Sequence, residues 1–223
     1  MRINADFSKR VVIDTTVMPW EDSPMKGVQR RKLDRIGDEV ARATSLVKYA
    51  PQSYFPEHSH GGGEEIFVLE GVFSDEHGDY PAGTYMRNPI GTAHKPHSVD
   101  GCVILVKLHQ FDANDTAHFT LDTRAAEFRP GSAPGLTVLT LHSFEGESCA
   151  LVRWAPDTKF TPHRHFGGEE IFVLEGVFSD ENGDYPAGTW LRSPHMSVHH
   201  PFSKEGCLIY VKTGHLPIED RLA

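Results

Sequence analysis

The chain has 223 residues, 39% of them hydrophobic, with 14 histidines and a formal net charge of −9 at pH 7. That length lies between one domain and two, and the apolar share suffices for a packed core. The negative charge argues against nucleic acid or an anionic membrane as the main partner, and no apolar run approaches the roughly 18 residues of a membrane helix.

In chain order, Val11-Val12-Ile13 is the first short branched run and predicts a strand. Residues 1–37 are locally basic, with Arg30-Arg31-Lys32 as a cluster that reads as the solvated face of a strand or loop rather than a binding patch. Residues 30–43 fit an amphipathic helix as well as a strand. Ile66-Phe67-Val68-Leu69 and Val103-Ile104-Leu105-Val106 are apolar runs bounded by glycine, proline and aspartate, as in sheets buried on both faces. Between them, Gly78-Asp79-Tyr80-Pro81-Ala82-Gly83 is dense in turn residues. Leu136-Thr137-Val138-Leu139-Thr140-Leu141 alternates with β-branched residues, and Leu208-Ile209-Tyr210-Val211 closes the series.

The second half of that series repeats the first. Residues 62–84 and 167–189 are the same string, GGEEIFVLEGVFSDExGDYPAGT, differing only at His77 against Asn182, at an offset of 105 residues. The same offset pairs Ala50-Pro51 with Ala155-Pro156 and Gly101-Cys102 with Gly206-Cys207. Upstream the register slips by three, so that Asp14-Thr15 and Trp20 match Asp122-Thr123 and Phe128. The repeat also settles the ambiguous segment: residues 30–43 align with the alternating Leu136 run and are expected to be strand. Two domains follow, 1–111 and 112–223, with the boundary near Phe111-Asp112; the period is too long for a solenoid.

The histidines concentrate where turns interrupt the strands. His58 and His60 stand at i and i+2, a spacing that points both imidazoles to one side of a strand. Three glycines then permit a reversal that brings Glu64 back toward the same cavity, and His94 follows after the Pro89-Ile90-Gly91 turn. The second half offers His163, His165, Glu169 and His199 in the same order. Imidazole with carboxylate suits zinc, iron, manganese, nickel or copper, whereas calcium and magnesium favour oxygen-only sites.

These spacings resemble the two cupin motifs, G-x5-H-x-H-x3,4-E-x6-G and G-x5-P-x-G-x2-H-x3-N. Glu65 and Glu170 compete for the carboxylate position, but only Glu64 and Glu169 keep six residues before Gly71 and Gly176. The repeated string, with Trp20 ahead of it and the Gly-Cys strand behind, is similar to the ChrR-type cupin family, named for the zinc-dependent C-terminal domain of an anti-sigma factor. The resemblance implies an all-β fold of two tandem cupin barrels (double-stranded β-helix, or jelly roll), each with a three-histidine, one-glutamate metal site. It departs from the motifs at Gln52 and Asp157, which replace the opening glycine, at Ser98 and Ser203, which replace the closing asparagine, and at Met196, which replaces Gly91. Met196 is expected to alter its turn and narrow the second pocket.

The expected cofactor is a divalent transition metal, two per chain, zinc first and iron or manganese as alternatives. The resemblance implies a regulatory or sensory role of the anti-sigma-factor kind; the alternative is a non-haem iron dioxygenase cleaving a small β-diketone-like substrate. The ligand set alone does not decide whether the site is catalytic. The N-terminal helical zinc domain of such anti-sigma factors, with its H-x3-C-x2-C signature, has no counterpart here, so capture of a sigma factor is not expected. A small molecule in each barrel is the expected partner, with neither nucleic acid nor membrane; self-association into a homo-oligomer is left open. The N-terminus lacks a secretory apolar core, and Cys102, Cys149 and Cys207 make a poor disulfide framework, so a soluble cytoplasmic protein is expected. Cys102 and Cys207 should be buried and inert. His97, His195 and His200 should sit beside the sites without ligating. Tyr54, Tyr85, Met86, Trp190 and Leu191 should line the barrels, with Tyr85 and Trp190 at the mouths over the metal.

Overall fold

A computed structural model of the chain describes residues 1–218. Among them the single helical element is the 3-10 turn Thr15–Val17; the rest is strand, turn and loop. No helix is long and apolar enough to cross a membrane.

Two compact units are present, one of Met1–Ala5 with Met18–Ala126, the other of Asp6–Val17 with residues 127 onward. In the first, the main antiparallel sheet runs in the order Arg2–Ile3, Val28–Gly37, Ala41–Tyr49, Cys102–Leu108, Glu64–Asp75, Thr84–Asn88, Phe119–Asp122. In the second the order is Arg129–Pro130, Leu136–Phe144, Glu147–Trp154, Cys207–Thr213, Glu169–Asp180, Thr189–Ser193, Val11–Asp14. Residues 30–37 and 41–43 are strand, as their repeat partner indicates, with a bend at 38–40 joining them.

The sequence copies, 1–111 and 112–223, and the sheets share these residues differently at their edges. The lead-in strand of each sequence copy completes the barrel of the other: Val11–Asp14 pairs with Thr189–Ser193, and Phe119–Asp122 pairs with Thr84–Asn88. Both ends are pinned alike. Thr15 Oγ1 donates to the Gly188 carbonyl and Thr123 Oγ1 to that of Gly83, each at 2.6 Å.

The long strand Glu64–Asp75 organises the first barrel. Its first part lies in the main sheet, and its last residues pair with Gly78–Pro81 and His97. A register shift at Val103/Ile104, opposite Leu69, supplies the bend between them. Ile66, Val68 and Phe73 from this strand form the core with Val28, Tyr49, Ile104 and Val106; Ile171, Val173 and Phe178 do the same in the second barrel. Gly71 could not be replaced, since a Cβ there would lie 2.1 Å from the Gly101 carbonyl oxygen.

Tyr85, Met86, Trp190 and Leu191 are buried, as expected, but Tyr54 is 65% exposed. Its two-residue strand turns Ser53 inward, and alternation sends Tyr54 out. Gln52 and Asp157 both take φ of 59°, the left-handed conformation that explains why the cupin motif has glycine there.

Candidate metal centres

The structure brings the eight predicted side chains together in two groups, His58 with His60, Glu64 and His94, and His163 with His165, Glu169 and His199. In each group one potential ligand atom from every residue lies within 4.8 Å of the others. Strand pairing produces this convergence. His58 is directly opposite His94, and His163 opposite His199, in a two-stranded ribbon beside the main sheet. Glu64 and Glu169 point the same way as the core residues Ile66 and Ile171. Glu65 and Glu170, one residue on, face the opposite side of the sheet, where Glu65 meets Arg87 at 3.4 Å and Glu170 accepts from Trp190 Nε1 at 2.9 Å.

The hydrogen bonds around the first group fix its protonation. His58 Nδ1–H donates to the Pro56 carbonyl at 3.0 Å and His94 Nδ1–H to Asp75 at 3.2 Å. Thr92 Oγ1 gives its own proton to the Pro89 carbonyl, so toward His60 Nδ1, 2.8 Å away, it can only accept. All three rings therefore carry the proton on Nδ1 and turn a bare Nε2 inward. His60 Nε2 and His94 Nε2 are each 3.3 Å from Glu64 Oε2, yet both nitrogens are buried without a hydrogen-bond partner. Lone pair faces lone pair at these contacts, an arrangement that a cation stabilises and nothing else present does. With metal–nitrogen bonds of about 2.1 Å, neighbouring ligands of one ion stand about 3.0–3.4 Å apart. The residues fit a divalent transition metal.

The second group repeats the triangle of rings, with centroids 4.7–4.9 Å apart against 4.7–5.2 Å in the first. Its support differs. His163 Nδ1 bonds the Thr161 carbonyl at 3.0 Å, but Ser197, at the position of Thr92, leaves its buried hydroxyl unpaired. Asp180 stands 3.8 Å from His199 and is itself clamped by Arg10, 2.6 Å away, with Tyr185 donating at 2.7 Å. In the first barrel His118 occupies the place of Arg10 and lines a small cavity with Asp75 and His94. Asn88 Nδ2 donates to Glu64 at 3.1 Å, whereas Ser193 opposite Glu169 makes no such bond.

The electrostatics follow burial. Desolvation pushes His60 down to about 4 and His165 to about 3, so both are neutral, as metal ligation requires. Burial lifts Glu169 to about 7, with Asp180 adding to the effect. Burial opposes the charge on His199 too, but Asp180 and then Glu169 outweigh it and hold that imidazole above its usual value. Burial raises Cys102 and Cys207 to about 11; both thiols are buried and free.

A cavity of about 320 Å³ opens on the first group. Val47, Phe55, Ile104 and Val106 form much of its wall, and Arg30 and Arg35 face into it. Tyr85 and Trp190 are not at the mouths. Both are fully buried on the far side of the sheet, Tyr85 against Phe119 with ring centroids 6.0 Å apart. Met196 does not alter its turn: it takes φ of 63° where Gly91 takes 90°, and its amide bonds the His165 carbonyl as that of Gly91 bonds His60. Its side chain is 44% exposed. His195 accepts from the Gly167 amide at 2.9 Å, and neither it, His97 nor His200 joins a metal group.

Sequence reasoning did not single out Asp75, Asp180, Thr92, Asn88, Arg10 or Arg35. The two aspartates had a visible signal, since they lie inside the duplicated string. The others differ between copies and only the folded geometry assigns them.

The model for the ChrR cupin-like domain matches the chain twice, over residues 8–112 and 116–217. No curated protein sequence matches it. Among solved structures, a Nostoc punctiforme protein provisionally described as a dioxygenase is similar over 92% of this chain and 82% of its own, with a TM-score of 0.79 at 16% identity. A Pseudomonas aeruginosa protein provisionally described as glyoxylate-induced covers 94% and 91% (TM-score 0.74, 14% identity). Bacillus subtilis oxalate decarboxylase, which has Mn(II) centres, covers 93% and 78% (TM-score 0.61, 13% identity). At these identities the likeness is one of fold.

Proposed function

The chain belongs to the ChrR cupin-like domain family as a duplicated cupin, and on that premise we propose that it is a metal-dependent dioxygenase whose first barrel receives a small β-dicarbonyl substrate. The observation that carries this reading is the cavity of about 320 Å³ opening directly on His58, His60, Glu64 and His94. That size is at the lower end for ligand pockets, about 300–1,000 Å³, and suits a molecule of a few carbons. The description of the Nostoc protein agrees with it.

His58, His60 and His94 hold their Nε2 lone pairs ready because Pro56, Thr92 and Asp75 take up the Nδ1 protons. Asn88 orients Glu64. The apolar wall excludes water and packs the hydrocarbon part of a substrate. A bound iron or manganese ion would supply the electron transfer with dioxygen that no side chain can. Zinc, with one accessible oxidation state, would not. Cys102 and Cys207, buried thiols outside any disulfide, favour a reducing compartment, in keeping with a place in the cytoplasm.

A regulatory, zinc-stabilised role is the second reading, and the ChrR family match is what favours it. Oxygen uptake by the full chain separates the two. Loaded with iron and given acetylacetone, the protein is expected to consume oxygen above the free-iron background. Zinc loading, or replacement of His58 and His60 together by alanine, should abolish that uptake. A protein most stable with zinc and inert with every metal would instead establish the regulatory reading.

A further inference from the structure

We propose that the ligand of the first barrel is a small 3-oxo acid, a β-dicarbonyl compound one of whose two carbonyl groups is a carboxylate that Arg35 and Arg30 bind. The inference rests on the reading of that barrel as the substrate-receiving centre and names the chemical class it takes.

Arg30 and Arg35 lie on the strand Val28–Gly37 and both line the cavity that holds the metal-ligating group. Arg35 is only 4% exposed. Its guanidinium donates to the backbone carbonyls of Asp38 and Glu39, and among the described residues no carboxylate pairs with it. Arg30 has one acidic partner, Glu39, at 3.3 Å, and that carboxylate is mostly exposed. Two guanidiniums thus share a largely apolar cavity, and the carboxylates that act on Arg35, Glu39 and then Asp38, are both exposed to solvent. They are close enough that, after burial, the charge of Arg30 is the main influence holding Arg35 below its usual value. A buried cation whose counter-charges lie out in solvent is costly, and an anion entering the cavity offsets that cost. Guanidinium is the group best matched to a carboxylate, which it binds through two parallel N–H donors. Glu64 does not compete, because a divalent ion at the histidines more than cancels its charge.

The second barrel provides the internal control. Val138 and Ser143 stand at the positions of Arg30 and Arg35, and Ala150 at that of Ser45, another residue of the cavity wall. The recognition is therefore confined to one barrel of the two.

Calorimetric titration of the zinc-loaded full chain tests this without turnover, using acetoacetate and its uncharged methyl ester as probes. Acetoacetate should bind once per chain and about tenfold or more tightly than the ester. Replacing both arginines (Arg30→Gln with Arg35→Gln) should cost acetoacetate about tenfold and leave the ester unchanged. Because Arg35 also ties down the turn after its strand, Arg30→Gln alone is the second variant, expected to cost about threefold. Equal binding of acid and ester, two acetoacetates per chain, or full affinity in the variants would overturn the proposal. Charge-selective binding by a protein that never consumes oxygen would sink the dioxygenase reading and leave this one standing; oxygen uptake without charge selection would do the reverse.

Discussion

In the first centre, Thr92 holds His60, Asn88 holds Glu64, and Asp75 is within bonding distance of His94. In the second, Ser197 and Ser193 leave those ligands untouched, and Asp180, 3.8 Å from its histidine, is itself held by Arg10. The four ligands and their spacing are the same in both. A ligand set defines where a metal can sit, and the groups one step out decide how rigidly it sits and what can approach it. The first centre is braced at each ligand and opens on a cavity with two arginines; the second is braced mainly through one aspartate whose own partner is an arginine.

The largest expected effect tests whether the centres are separate at all. Metal analysis of the intact protein should find two ions per chain, and one after His58 and His60 are both replaced by alanine. Loss of both ions, or of neither, would break the comparison.

Removing the clamp should weaken one centre alone. Partners of metal-bound histidines are worth about 10–100-fold in metal affinity, so Asp180→Asn should fall in that range. Arg10→Met, acting one step farther out, should cost about tenfold in the second centre and nothing in the first, as read by competition with a chromophoric chelator.

Acid provides a third test. His60 and His165 are depressed to about 4 and 3, so between these values and the unfolded value of about 6.5 the unfolded chain binds more protons than the folded one. Their contribution to stability is complete above about pH 6.5 and is lost as pH falls toward the folded values. Metal should leave over the same interval, with the melting temperature dropping by several degrees. Unchanged metal content and melting temperature at about pH 4 would mean that other residues hold the ions.

The smallest effect sharpens the contrast most directly. Thr92→Val deletes the acceptor for His60 and should weaken the first centre about fivefold, the worth of one hydrogen bond of about 1 kcal/mol. Ser197→Ala deletes a hydroxyl that bonds nothing and should leave the second centre unchanged.

The legible parts of this molecule were those written in local spacing. His58 and His60 two apart, Glu64 with six residues between it and Gly71, and a string repeated at an offset of 105 residues define the barrels and both ligand groups in the sequence alone. What stayed hidden depends on which way a side chain points across a bend. Arg30-Arg31-Lys32 reads as a solvated basic run. Yet Arg30 lies on the cavity face with Val28, the register shift between Lys32 and Asp34 brings Arg35 onto that face too, and Arg31 stacks on Trp20 at 4.1 Å. Tyr85 and Trp190 follow a turn by two residues, which suggests a mouth; strand pairing places them on the sheet's other face. Met196 in place of the motif glycine suggests a disturbed turn, but a backbone already held by two turn hydrogen bonds tolerates positive φ at a non-glycine residue.

The crossed lead-in strands mean that heredity and architecture divide this chain differently. Arg10 is inherited with the first copy but serves the second centre; His118 is inherited with the second copy but lies beside the first. A recombination event that exchanged one whole copy would deliver each centre a neighbour selected for the other. A gene encoding a single copy would specify a barrel missing its outermost strand, which two such chains could restore by trading it. With the copies joined in one polypeptide, Asp75 and Asp180 each lie beside a residue that the other copy's leading segment carries.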